Sequence, residues 1–408
     1  MRAHSMLRAV QAAPLKPQVK LLALAALLND TASELIYPLL PVFLTTTLGA
    51  TPAIVGLIEG AADGLASILK YVSGAWSDRL QKRKPLIVAG YGLAAASRAL
   101  IAVATAWPFI LLARLTDRTG KGARSAPRDA MISDVTPPEQ RGRAFGFHRA
   151  LDHTGAVIGP LLAVGLLQVF TLRQTFMFAV VPGAVGVLML AFLLKETKAE
   201  GRGQKAEGRK EAAAAGGSPF ILPRSSFRQA LAAIGLFSLA NSSDAFLLLQ
   251  AHAAGVPTAM LPLLWAAHHV IKSLFSTRAG ALSDRVDRRW LLIAGWTSYA
   301  VIYFLFPFAR TLTAFVVLFV LYAIPFTLSE GAERAWIADM VPRESRGKSF
   351  GMYYLVNGVC VLAGTALFGL LYQAVSPRAA FFTGAALALC AVIAVAGTTR
   401  RAAPPTAP

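Results

Sequence analysis

GAWSDRLQKRK at Gly74–Lys84 returns as GALSDRVDRRW at Gly280–Trp290, 206 residues later, and DVTPPEQRGRAFG at Asp134–Gly146 returns as DMVPRESRGKSFG at Asp339–Gly351, 205 residues later. Two motifs that keep their separation to within one residue mark a duplicated unit. Each is a short polar loop between apolar stretches, among them Leu86–Ala106, Phe145–Val169, Phe176–Leu194, Trp290–Ala309 and Ala379–Ala396. At 1.5 Å per residue, each stretch is about long enough to cross a hydrocarbon core of roughly 30 Å. About twelve such spans fit the chain, six per copy. The reading is an all-α integral membrane protein with about 12 transmembrane helices in two pseudo-symmetric six-helix bundles.

Composition agrees. The 408 residues are 55% hydrophobic and 15% charged, which leaves room for helices and short loops but for no sizeable soluble domain. A formal charge of +19 would raise the question of nucleic acid in a soluble protein, but 26 of the 40 Lys and Arg lie in loops and tails on one side of the expected spans. The opposite loops hold only Arg173, Arg310 and Arg378. This asymmetry places both termini in the cytoplasm, with the chain in the inner or plasma membrane, and no nucleic-acid partner is expected. The first apolar segment has no small-residue cleavage site, so no removable signal peptide is expected. Cys360 and Cys390 fall in expected helices and read as buried, inert thiols. The polar stretch containing KETKAEGRGQKAEGRKE divides the chain into a bundle at 1–194, a cytoplasmic linker at 195–228 and a second bundle at 229–408.

Function is written in the charges left inside the spans. In RLTDRTGKGARSAPR, Arg114, Asp117, Lys121, Arg124 and Arg128 recur at spacings of 3, 4, 3 and 4, which puts them on one helix face with Arg118 beside them. An ionised group at mid-bilayer costs about 2.5–3.5 kcal/mol, so this stripe must face a partner helix or a water-filled cavity. In all, 11 basic and 10 acidic residues fall within or at the ends of spans. Buried ion pairs seldom repay their desolvation, so such a density points to a solute pathway. Asp30 and Glu34, one turn apart, repel when both are ionised, and one of them is expected to take up and release a proton. The alternative is that both neutralise Arg114, Arg118 or Lys121. Asp152, which shares a face with His148, is a third proton-coupling candidate. His148, Arg149 and His153 on the fifth helix, and His268, His269 and Lys272 on the eighth, read as hydrogen-bonded structure, a proton relay or a metal site, and no metal is assigned.

The repeated loop resembles the signature Gly-x-x-x-Asp-Arg-x-Gly-Arg-Arg of the major facilitator superfamily, met by Gly74, Asp78, Arg79, Lys82 and Arg83 and again by Gly280, Asp284, Arg285, Arg288 and Arg289. Gln81 and Asp287 stand where the family has its inner glycine. Gly155, Gly159 and Pro160 resemble the fifth-helix signature of the antiporter branch, with Ala163 and Val164 in place of its last glycines. The resemblance covers nearly the whole chain. It implies a central cavity lined by helices one, four, seven and ten, which carry conspicuous polar interruptions: Asn29, Asp30, Glu34 and Tyr37-Pro38; the basic stripe; Asn241, Ser242, Ser243 and Asp244; and Glu330, Glu333 and Arg334. With His268, His269 and Lys272 these are the expected cavity residues.

Gating is expected of Gly74, Asp78, Arg79, Arg83, Arg124, Arg128, Arg141, Asp284, Arg285 and Arg346, with Asp78 accepting hydrogen bonds from the N-terminus of a neighbouring helix. The implied function is secondary active transport by alternating access: a monomer without a cofactor, exporting a small organic solute in exchange for protons. The rival is uptake or exchange of an anionic metabolite, or of a metal or siderophore complex, since Arg114, Arg118, Lys121 and Lys272 attract carboxylates and phosphates. No HExxH, GxSxG or nucleotide-binding loop occurs, and no enzymatic activity is expected. Trp265, Trp296 and Trp336 read as packing or interface anchors, and Gly90, Gly92, Gly358, Gly364 and Gly369 as close-packing positions.

Overall fold

A computed structural model describes residues 13–37, 39–40, 43–50, 52–196, 225–241, 247, 261–309 and 311–398. Among these residues the regular elements are all helical and form twelve spans in two six-helix bundles. The first bundle holds α1 (Pro17–Ile36), α2 (Pro52–Leu80), α3 (Lys84–Val103), α4 (Trp107–Val135), α5 (Arg141–Leu166) and α6 (Leu172–Phe178 continued by Val180–Leu193). The second holds α7 (Ser225–Ala240), α8 (Leu261–Ser283), α9 (Arg288–Leu305), α10 (Leu312–Leu321 continued by Ala323–Met340), α11 (Arg346–Ala374) and α12 (Pro377–Ala396). Proline stands in the first turn of α1, α3, α4 and α12, where its fixed φ suits a helix start and its missing N–H costs nothing.

Six of the spans, α3, α6, α9, α10, α11 and α12, are long and apolar enough to cross a membrane unaided. Of the others, α7 is apolar after its first turn but spans only 16 described residues, whereas charges interrupt α1, α2, α4, α5 and α8, which must turn polar faces toward protein or water. Glycines set how closely they do so. A Cβ on Gly155 would lie 2.5 Å from the Leu27 carbonyl oxygen, and one on Gly159 would lie 2.7 Å from that of Thr31. This antiporter-type glycine pair therefore presses α5 onto the stretch of α1 that carries Asp30 and Glu34. Between the bundles, a Cβ on Gly74 would lie 2.1 Å from the Gly347 oxygen and one on Gly280 2.1 Å from the Gly142 oxygen. The duplicated crossings α2/α11 and α5/α8 thus meet at backbone contact.

The two bundle cores differ in chemistry. The second is aromatic: Phe237 stacks on Trp296 at 4.6 Å, and Tyr299 on Tyr303 at 4.1 Å. The first buries Arg98, Arg114, Asp117, Arg124, Arg128 and Asp129. Two smaller expectations need correcting. Cys390 of α12 is exposed and Cys360 of α11 only partly buried, and Gly92 faces open space because α3 turns that side away from its neighbours. Pro38, Ser242, Ser243, Asp244, Arg310 and most of the linker lie outside the described residues, as do the side chains of Glu59 and Asp63.

The two copies of the loop motif are equal in length but differ by one residue in which arginine pairs onward: Arg83, five residues past Asp78, meets Asp134, whereas Arg288, four past Asp284, meets Asp339. The extra residue between acid and arginine is absorbed at Gln81, which takes φ +51°, the left-handed conformation that glycine adopts without strain. The shorter spacing needs no such residue, and Asp287 there sits at φ −59° and caps α9 through the Arg289 N–H. Gln81→Gly is therefore expected to stabilise the protein by about 1 kcal/mol, the usual cost of a side chain in that region. Thermal unfolding in detergent checks this; an unchanged or lowered midpoint would contradict it.

Candidate functional site

The stripe on α4 faces inward. With α1 and parts of four other helices it encloses a cavity of about 190 Å3. α1 contributes Asn29, Asp30, Ser33, Glu34 and Tyr37; α4 contributes Asp117, Arg118, Lys121, Arg124 and Arg128; α5 contributes Arg149 and Asp152. Lys70 of α2, Tyr91 of α3 and Tyr354 of α11 complete the polar wall, so both bundles border it. Lys121 is exposed although it sits mid-helix, because its surface opens into this space.

Carboxylates in and behind the wall are shared between cations. Asp117 lies 3.7 Å from both Arg114 and Arg118, and the Arg114 guanidinium stacks 4.3 Å from the Tyr37 ring centroid. Asp129 pairs with Arg128 at 2.9 Å and with Arg334 at 3.5 Å, and accepts the Tyr354 hydroxyl. Arg149 pairs with Asp152. Arg124 donates to the Gly90 carbonyl and lies over the Tyr91 ring at 4.5 Å. Asp30 of α1 and Asp152 of α5 line the same wall. Asn29 donates to Asp30.

Beside the cavity a second ionic cluster ties the bundles together. Glu330 of α10 lies 3.0 Å from Lys272 of α8 and 3.5 Å from Arg149 and His153 of α5. His153 Nδ1 is 3.1 Å from His269 Nδ1, so one of the two rings donates to the other. Glu333 accepts the Tyr353 hydroxyl at 3.0 Å, and Arg334 donates to the Glu330 carbonyl. His268 stacks among Trp265, Phe319 and Tyr322, and Asn241 accepts from Tyr322 at 3.5 Å. None of these C-terminal residues lines the cavity. His148 is buried on α5, and no cluster of three metal ligands forms among the described residues.

Both bundles meet at the end where the basic loops lie, in two copies of one latch. Asp78, at the end of α2, accepts the Gly347 and Lys348 N–H groups at 3.0 and 2.7 Å. Asp284, just past α8, accepts those of Gly142 and Arg143 at 2.7 and 2.8 Å. Each carboxylate thereby caps the first turn of a helix in the other bundle, where orphan N–H groups and the helix dipole favour an anion. A clamp lies beside each. Asp134 holds Arg83 and, across the interface, Arg346, both at 2.8 Å. Asp339 holds Arg288 at 2.7 Å and, across the interface, Arg141 at 2.6 Å. Arg288 also donates to the Pro138 carbonyl at 2.9 Å. Burial pushes the Asp284 carboxyl above its ordinary range against the pull of Arg288 and the two N–H groups, so latch closure gives up hydration that the pairing does not fully restore.

The expected gating residues separate. Asp78, Arg83, Arg141, Asp284 and Arg346 form the latches, while Arg79 and Arg285 are exposed. Arg124 and Arg128 stand in the cavity wall; at 1.5 Å per residue they lie roughly 16 and 10 Å before the end of α4 at Val135. Several contributors were not singled out from sequence: Asp134, Asp339, Lys70, Tyr91, Tyr354 and Arg98. Arg98 is fully buried and donates through one nitrogen to the Asn29 carbonyl, the Asn29 side chain and Ser33. Its Nε and Nη1 atoms have no hydrogen-bond partner among the described residues. Its signal was its isolation, as the one charge in the body of an apolar span.

The latches make a direct prediction about access. Ser349, buried just inside the α11 N-terminus, is expected to be unreactive toward a membrane-impermeant maleimide as Ser349→Cys in a Cys360→Ser, Cys390→Ser background. Adding Asp78→Asn or Asp284→Asn removes a charge-assisted pair worth about 1.5–3 kcal/mol and should expose it. Protection that persists in both variants would contradict the latch role.

The sequence matches the Major Facilitator Superfamily over residues 22–277 and 245–408. It is 29% identical to the uncharacterized MFS-type transporter MJ1317 of Methanocaldococcus jannaschii over 389 residues, 92% of this chain and 93% of that protein. Over 157 residues, 38% of this chain and 37% of the relative, it is 36% identical to the multidrug resistance protein MdtH of Photorhabdus laumondii. Among solved structures, the human organic anion transporter MFSD10 superposes with a TM-score of 0.75 at 19% identity, covering 93% of this chain and all of that one, a likeness of fold. Duplicated six-helix bundles, the paired loop signatures and the extent of the family match lead to one conclusion: the chain belongs to the Major Facilitator Superfamily of multi-pass membrane transporters.

Proposed function

We propose that the protein is a secondary active transporter that exports a small organic solute in exchange for protons, alternating access by rocking residues 1–194 against 229–408 about the cavity, with 195–228 as the connecting linker. The observation that carries this reading is a charged cavity, with the carboxyls of Asp30, Glu34 and Asp152 in its wall, that both bundles border and that two latches close at one end. The basic loops support reading that end as cytoplasmic. Both termini lie on the same side, in the inner or plasma membrane, and the protein works as a monomer without a cofactor. Export is favoured over import by the partial similarity to a multidrug resistance protein and by Gly155, Gly159 and Pro160, which hold α5 against the acids of α1.

In this mechanism a proton entering from the open side is held by the α1 and α5 carboxyls. Glu34 lines the same wall and is the alternative acceptor. Exchange follows when the cavity reorients either protonated or solute-loaded and not with both. Breaking Asp78 and Asp284 from their helix caps lets the bundles part at the basic end.

Proteoliposomes with an imposed pH gradient of either sign test this, with labelled benzoate, ethidium and glucose as anionic, cationic and neutral probes. At least one should move uphill in response to the gradient; no gradient-driven flux of any of them would contradict the reading. Neutralising the coupling acid, by Asp30→Asn, Glu34→Gln or Asp152→Asn, should abolish uphill movement but spare exchange down a gradient. If all three variants still concentrate the solute, the carboxyls of α1 and α5 are not the coupling site. Asp78→Asn should slow transport strongly while leaving equilibrium binding within about threefold, roughly 0.7 kcal/mol.

A further inference from the structure

We propose that the solute held in this cavity carries a negatively charged group, a carboxylate, phosphonate or sulfonate, seated against Lys121 and Arg149; this rests on the transport reading above and adds to it the charge class of the substrate. The wall presents six Lys and Arg side chains against four carboxyls, an excess of two positive charges when all are ionised. Acids behind the wall do not remove it, because Asp129 is itself divided between Arg128 and Arg334. An ion withdrawn from bulk water without full compensation costs several kcal/mol, and a solute of opposite sign recovers part of that cost on arrival. A cation would add to the excess, and a neutral solute would leave it as it is.

Two side chains are placed to receive the anion. Lys121 is the exposed cation of the α4 stripe, one turn from Arg118, with its surface in the cavity. Arg149 borders the same cavity from α5 and already engages carboxylates on two sides, Asp152 in its own helix and Glu330 across the bundle interface. A guanidinium so placed binds planar oxyanions in a fork, and an incoming carboxylate offers it the same chemistry as Asp152 does. Lys121 supplies a point charge on a flexible stem in the same wall, which tolerates anions of different shape.

Equilibrium binding to the purified full-length protein in nanodiscs of zwitterionic lipid tests this without any transport step. The probes are benzoate and phenylphosphonate, with benzamide as the neutral counterpart of benzoate and benzylamine as the cationic one. Benzoate and phenylphosphonate should bind saturably, and benzamide and benzylamine at least tenfold more weakly. Lys121→Gln should weaken benzoate binding about 10–100-fold, the loss of one charge-assisted contact, and Lys121→Arg should retain most of it. Benzamide or benzylamine binding as tightly as benzoate, or affinity unchanged in Lys121→Gln, would overturn the proposal, and the wild-type comparison decides even if that variant fails to fold. Anion binding without gradient-driven flux would sink the transport reading alone, whereas flux of ethidium or glucose with no anion binding would sink this proposal alone.

Discussion

An ion inside the hydrocarbon must have a counter-charge, hydrogen-bond partners or water, and the arrangement of this protein follows from how its first bundle meets that demand. Arg98, alone in the body of an apolar helix, is met by three acceptors of α1, two from Asn29 and one from Ser33. That fixes α1 against α3. Asp117 and Asp129 are each shared by two guanidinium groups, and the second of these, Arg334, belongs to the other bundle. Charge solvation inside one bundle therefore becomes adhesion between the two, and the space the cations cannot fill becomes the cavity.

Adhesion of that kind would lock a transporter if it were strong everywhere. At the basic end it is built from carboxylates capping helix N-termini and from shared Asp–Arg clamps, each of which exchanges hydration for pairing at nearly balanced cost. The raised carboxyl of Asp284 is the sign of that balance. Because the latch is duplicated, with Asp78 and Asp134 in one copy and Asp284 and Asp339 in the other, the two crossings α2/α11 and α5/α8 are held by the same contacts. Glycines at 74, 347, 142 and 280 allow the backbones to touch there, so closing also excludes water from the joint.

Much of this was legible in the residues. The loop repeat predicted two bundles of six, the period of the α4 stripe predicted its inward face, and the short side chain of Asp78 at a helix end predicted an acceptor for N–H groups. The lining of the cavity was less legible. Lys70 of α2, the Arg149–Asp152 pair of α5 and Tyr354 of α11 reach it because the glycine contacts at the crossings draw those helices inward, a distance that no periodicity encodes. The acids of α10 looked like cavity groups for the right reason, that charge must face inward, yet Glu330 is taken up by Lys272, His153 and Arg149 beside the cavity rather than within it. Arg288, not the Arg289 that aligns with Arg83 in the repeat, plays the part of Arg83, because 51 residues separate it from Asp339 as 51 separate Arg83 from Asp134. Asp134 and Asp339 stood in the repeated motif from the start; only their position between two arginines reveals them as clamps.

The claim on which the rest depends is that the two bundles part at the basic end when the latches release. Spin labels at Lys82→Cys and Glu344→Cys, exposed positions on the two sides of the α2/α11 crossing, with both native cysteines replaced, report that separation by double electron–electron resonance. The account predicts a narrow short-distance population in the otherwise unaltered protein and a second, longer population of several ångströms or more when Asp78→Asn and Asp284→Asn are combined. A single unchanged distance in the double variant would show that the carboxylate caps do not hold the bundles together, and the account would fail with them.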